Sequence, residues 1–143
     1  MPYEFVDELT VADLAFRAWG HDLEETFVAA AEAVMNAMVE DLDAIRPHDR
    51  RTCSIEHDAL DLLLFNFLQE FVYYKDAQQL LLRIQQLHIT DDHQPYSLRA
   101  TLAGEPIDPA RHRLRVDVKA VTLHRFSLTQ SDDGWATTVI LDI

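Results

Sequence analysis

Two stretches of the chain repeat apolar residues at helical spacing, while much of the remainder alternates apolar with polar. In "HDLEETFVAAAEAVMNAMVE", Leu23, Phe27, Ala30, Val34 and Met38 fall on one stripe, with Asp22 placed as an N-cap and Glu25 three residues on. That pattern predicts a helix with one buried face. In "DALDLLLFNFLQEFVYYKD", Leu60, Leu63, Leu64, Phe67, Leu68, Phe71 and Val72 make a helix apolar on most sides, with Asp58 as its candidate cap. Such a helix belongs against the core.

The alternating stretches predict strands. "RTCSIEH" puts Cys53, Ile55 and His57 on one side, "YSLRATLAG" does the same with Tyr96, Leu98, Ala100 and Leu102, and "HRLRVDVKAV" with Leu114, Val116 and Val118. A short strand carries Leu14, Phe16 and Ala18 in "ADLAFRAWG". "QLLLRIQQLHIT" suits either period, but the alternation of Leu80, Leu82 and Ile84 favours a strand. "LHRFSLTQ" and "WATTVILDI" flank "SDDG", whose Asp-Gly pair signals a hairpin. The class expected is therefore α+β, two helices packed on a mostly antiparallel β-sheet. Without repeats or linker-like tracts, residues 1–143 read as a single domain. The final strand runs to the last residue, which implies that this end is held in place rather than frayed.

Composition narrows the chemistry. Twenty-five acidic residues against 12 basic ones leave a net charge of −13, which repels a phosphate backbone and favours a basic protein partner or a hard cation over direct nucleic-acid binding. The lone cysteine, Cys53, excludes an internal disulfide or a thiolate zinc site and suits a reducing, cytoplasmic setting. The N-terminus lacks the pattern of a signal peptide, and polar residues interrupt the most apolar stretch, so no membrane association is expected. The three glycines form no phosphate-binding fingerprint, and neither a nucleophile elbow nor an HExxH motif is present.

The remaining candidates are isolated residues. Lys119 is one of only two lysines against ten arginines and sits in the apolar "VDVKAVTLH"; a strand lysine is ordinarily solvated, and a paired or activity-bearing one is the alternative. Asp142 shares its face with Ile140 and Thr138 and stands beside the terminal carboxylate of Ile143. Neighbouring carboxylates repel unless a cation bridges them, so this pair is either a solvated chain end or half of an oxygen-rich metal site. Asp13, immediately before the Leu14 strand, is an ordinary turn residue or a third oxygen donor. His124 follows Lys119 by five residues and in a regular strand would face the other side. His21, His48, His57, His88, His93 and His112 show no metal-ligand spacing and read as solvated or core-edge residues.

In their order and spacing, "ADLAFRAWG", "LEETFVAAAEAVMNAMVE", "LLLFNFLQEFVYY", "GEPIDPARHRLRVDVKAVTLH" and the closing "VILDI" resemble the archease family over nearly the whole chain. The resemblance implies an α+β fold and a non-enzymatic activator of the GTP-dependent tRNA-splicing RNA ligase, promoting guanylylation of the ligase and its multiple turnover. A chaperone or a modulator of a tRNA cytosine methyltransferase is the alternative it implies. A small metal-dependent phosphoester hydrolase is the competing reading from the carboxylates themselves. Residue by residue, the family's "HTAD" aspartate falls on Asp13, its "VKAVTYH" lysine on Lys119 and its penultimate aspartate on Asp142, with Ile143 completing a divalent-cation site. Calcium is the expected cation, with magnesium and manganese as alternatives of the same ligand chemistry. The chain departs from the family where Thr10 and Val11 replace histidine and threonine, and Leu123 replaces a tyrosine.

Overall fold

The computed structural model describes residues 2–10 and 13–143, those at 7–10 by backbone alone. Val11 and the side chain of Thr10, at the departure from the "HTAD" pattern, lie outside the described residues. Among the described residues the order is β1 (Tyr3–Thr10), β2 (Asp13–Gly20), α1 (Leu23–Met38), a 3-10 turn (Leu42–Ala44), β3 (Asp49–His57), α2 (Leu60–Gln78), β4 (Leu80–Thr90), β5 (Tyr96–Pro106), β6 (Ala120–Ser131) and β7 (Gly134–Asp142). The α+β class and antiparallel pairing agree with expectation, and the strands divide between two sheets, ordered β1-β2-β7-β6 and β3-β5-β4. "QLLLRIQQLHIT" is strand β4. The β6–β7 hairpin turns through Asp132 and Asp133 between the paired Ser131 and Gly134, and the φ of 133° at Gly134 lies where a side chain is strained.

Both helices touch both sheets, α1 through β2, β7 and β4, and α2 through β6, β3, β4 and β5. For that reason α1 buries more than the single face its periodicity predicts. Ala29, Ala30, Ala31, Ala33 and Ala37 are all almost inaccessible, small enough for backbone to approach from two directions. Asp22 caps α1 as expected, its Oδ1 accepting from the Glu25 N–H at 2.8 Å, while Glu25 Oε2 accepts from the His21 N–H at 2.8 Å. The helices meet through Phe27 and Phe67, whose stacked rings lie 6.3 Å apart, and Phe71 packs edge-on against Phe67. Burying each of these rings contributes roughly 1.5–3 kcal/mol.

Two local expectations are corrected. Ala59, not Asp58, is the N-cap of α2 and makes no side-chain cap; instead the Ala59 N–H donates to His57 Nδ1 at 3.0 Å. The segment with Leu114, Val116 and Val118 forms no strand, only an isolated bridge from Val39 to Leu114. Its backbone serves the end of α1, where the N–H groups of Arg115 and Val116 donate to the Met38 and Ala37 carbonyls. The N-terminal residues, not assigned to any element from the sequence, form β1. No helix among the described residues is long and apolar enough to cross a membrane.

Candidate functional site

Strands β2 and β7 lie side by side at the centre of the four-stranded sheet, and their register opposes Asp13 directly to Asp142. Leu14 pairs with Leu141, and Phe16 with Val139, all facing the helices, so alternation sends both aspartates to the other face. There they are half-buried beside Ala15 and Ile140, which are only 5% and 3% exposed. Two carboxylates in directly opposed positions on one face of a sheet repel each other.

The third predicted residue immediately precedes β6. Ala120 pairs with Asp142, and the Lys119 N–H donates to the Asp142 carbonyl at 2.8 Å. Asp142 thus has Asp13 on one side and the backbone of Lys119 on the other. The Lys119 side chain is exposed, not turned into the sheet. Ile143 packs its partly buried side chain against the core, in keeping with a held chain end. His124 is exposed, and β6 loses its register between Thr122 and Ser127, with Arg125 at φ 54°, so simple alternation from Lys119 does not apply to it.

The lysine that enters the core is not Lys119 but Lys75 in the last turn of α2, 7% exposed. Its Nζ donates to the Val118 carbonyl at 2.7 Å and to Asp117 Oδ1 at 2.6 Å, and pairs with Asp76 Oδ1 at 2.6 Å. Burial pushes its pKa down, but the bonds to Asp117 and Asp76 outweigh that and the net displacement is upward. Six residues earlier on α2, Gln69 brackets Val121, accepting from its N–H at 3.1 Å and donating to its carbonyl at 3.3 Å. Two polar side chains of one helix therefore grip the backbone on either side of Lys119. The available signal was spacing, since Lys75 follows Leu64, Leu68 and Phe71 on the buried stripe of α2.

A second polar cluster contradicts the expectation for His112, which is buried at 1% exposure. Its Nδ1 accepts from the Asp108 N–H at 2.9 Å, leaving Nε2–H to face Glu105 Oε2 at 2.9 Å. Glu105 also pairs with Arg111 and accepts from the Arg46 N–H at 2.7 Å. Led by the Arg111 bond, these interactions hold the Glu105 carboxyl down at about 2, against the opposing effect of burial. The cluster ties two loops together and lies apart from Asp13 and Asp142 in the sequence and the sheets. Burial pushes the Cys53 thiol up to about 11, so it is no ready nucleophile.

Among the described residues no three His, Cys, Asp or Glu side chains gather as a metal group. Asp13 and Asp142 stand opposed as two oxygen donors on one face of the sheet, the donor type that hard divalent cations take.

The model of the Archease protein family matches residues 3–143. The protein archease of Pyrococcus abyssi is 32% identical over 133 residues, covering 92% of this chain and 93% of its own. That of Methanopyrus kandleri is 30% identical over 143 residues, the whole of both chains. The solution structure of protein 1598 from Methanobacterium thermoautotrophicum superposes with a TM-score of 0.84 at 31% identity, covering 99% of each chain. An archease from Thermotoga maritima, described as a possible chaperone, shares the fold with a TM-score of 0.60 at 15% identity over 94% of this chain and 93% of its own. With a family model spanning nearly its full length and relatives this similar from end to end, the chain belongs to the archease family.

Proposed function

We propose that this chain is a non-enzymatic activator of the GTP-dependent tRNA-splicing RNA ligase, acting from the end of β2 and β7 that carries Asp13 and Asp142. The observation that carries this reading is the register itself. Residues 129 positions apart stand opposite each other, and Lys119 is bonded to the same Asp142 backbone. These are the three positions to which the resemblance assigns the family's activity.

Asp13, Asp142 and the α-carboxylate of Ile143 would hold a divalent cation, calcium first and magnesium or manganese as alternatives. The cation would place positive charge at a tip otherwise dominated by carboxylates. The chain's own residues do the rest: β2 and β7 hold the aspartates in register, and Lys75 and Gln69 fix the backbone that presents the exposed Lys119. The net charge of −13 favours approach to a ligase surface basic enough to hold RNA.

The test is covalent guanylylation of the cognate ligase with labelled GTP, the ligase in excess over this protein. Wild type is expected to stimulate many ligase molecules per copy and Asp142→Ala to lose that stimulation. Full stimulation by Asp142→Ala would refute the reading. A chaperone role is the second reading, favoured by the description of the Thermotoga maritima archease and by Tyr73 and Leu123, each 56% exposed. It predicts suppression of aggregation, with ligation unaffected.

A further inference from the structure

At the far end of β2 and β7 from Asp13 and Asp142, roughly 23 Å away along the strands, lies a cavity of about 830 Å³. Both tryptophans of the chain, Trp19 and Trp135, line it. Trp19 pairs with Ala136 and Trp135 with Gly20, so alternation sends the two indoles to opposite faces of the strand end. Gly20 and Gly134 pack backbone to backbone at the cavity wall, where a Cβ on Gly134 would lie 2.2 Å from the Gly20 carbonyl oxygen.

The charge of the lining selects the occupant. Carboxylates come from Asp22, Glu24, Glu25, Asp133 and Glu32, the last paired with Arg83 at 3.2 Å, against the guanidinium of Arg17 in the lining. They neutralise the positive N-terminal end of α1, and their field repels phosphates and nucleotides. Arg17 places its guanidinium 5.4 Å from the centre of the Trp19 ring, a geometry in which indole attracts a planar cation. The volume exceeds one side chain and lies in the range of pockets that enclose a ligand of several groups.

We propose that this cavity docks an arginine-bearing segment of a protein partner, with a partner guanidinium against the Trp19 indole and the carboxylates of the lining around the segment. The inference is independent of the reading of the Asp13 and Asp142 end, because it rests on other residues and needs neither ligase nor cation. A partner engaged here and at the other end would span the central strands.

Since every tryptophan of the chain borders this cavity, intrinsic tryptophan emission reports on it directly. The full chain is titrated with an N-acetylated, C-amidated Gly-Arg-Arg-Gly peptide in metal-free buffer. The expected result is a saturable emission change with Kd below about 10 mM that weakens as salt is raised. Glu24→Gln/Asp133→Asn, which keeps an acceptor for the Ile89 N–H that Glu24 now receives, should weaken binding about fivefold or more. Arg17→Gln removes the competing guanidinium and should tighten binding about two- to threefold. No saturable change, weaker binding in Arg17→Gln, or an equal response to a Gly-Glu-Glu-Gly peptide, to GTP or to spermidine would overturn the assignment.

Discussion

Asp142→Asn should change stability in opposite directions with and without a divalent cation, which makes it a sharp test of why the chain places two aspartates face to face. Directly opposed residues in a sheet have Cβ atoms about 4.5–5.5 Å apart. Two unit charges about 5 Å apart repel by about 0.8 kcal/mol in bulk water and about 3 kcal/mol at an effective dielectric constant of about 20. Asp13 and Asp142 are half-buried, and salt screens part of the interaction, so about 1 kcal/mol is a working figure. In chelator, Asp142→Asn should therefore be more stable than wild type by about 1 kcal/mol. With calcium at about 100 times its Kd, wild type gains about 2.7 kcal/mol that the variant largely forgoes, and the order reverses. For a chain of this length each 1 kcal/mol moves Tm by about 2–4 °C, so the swing is measurable by thermal unfolding in EDTA and in calcium, magnesium or manganese. If no cation raises the wild-type Tm, or if Asp142→Asn shifts it equally under all conditions, the opposed carboxylates do not form a cation site.

Two further predictions concern the supports around the site. Lys75→Met strands the Val118 carbonyl and should lower stability by about 1–3 kcal/mol in urea unfolding at pH 7, whereas the exposed partners Asp76 and Asp117 add little. Because the Lys75 pKa is raised in the folded state, its contribution is present below 10.5 and should fade as pH climbs beyond it; equal stability of wild type and variant at pH 7 would refute the anchoring role. Glu105→Gln should cost about 1–3 kcal/mol at pH 7 by weakening the bonds to Arg111, Arg46 and His112. The folded-state pKa is depressed, so the wild-type advantage should be full above 4.5 and vanish as pH falls towards about 2; an advantage independent of pH across that window would contradict the ionised role.

Periodicity alone carried the two helices, the β6–β7 hairpin and most strands, because it reports the local backbone and which side of an element meets the core. The capping of α1 by Asp22 was equally legible, since cap and N–H groups are three residues apart. The same local rule misassigned Asp58: the free N–H of Ala59 found His57 Nδ1 instead. The segment from Leu114 to Val118 shows the limit more clearly. Its alternation is that of a strand, but a strand exists only where a neighbouring strand offers a ladder, and here the neighbour is the end of α1.

Which residues share a site depends on contacts between positions far apart in the chain. Asp13, Lys119 and Asp142 were legible as candidates, but only the β2–β7–β6 order sets Asp142 between the other two, and one residue of register slip would place the aspartates on opposite faces. Likewise Lys119 drew attention as a rare lysine among apolar residues, whereas Lys75 is the one the fold buries, because a carbonyl and two carboxylates meet its ammonium there. Sequence by itself determined both helices, most strands, the fold class and the charge of the molecule. Tertiary structure decided the division into two sheets, the burial of Lys75 and His112 and the opposition of Asp13 to Asp142, because those depend on which distant segments offer one another hydrogen-bond partners and apolar surface.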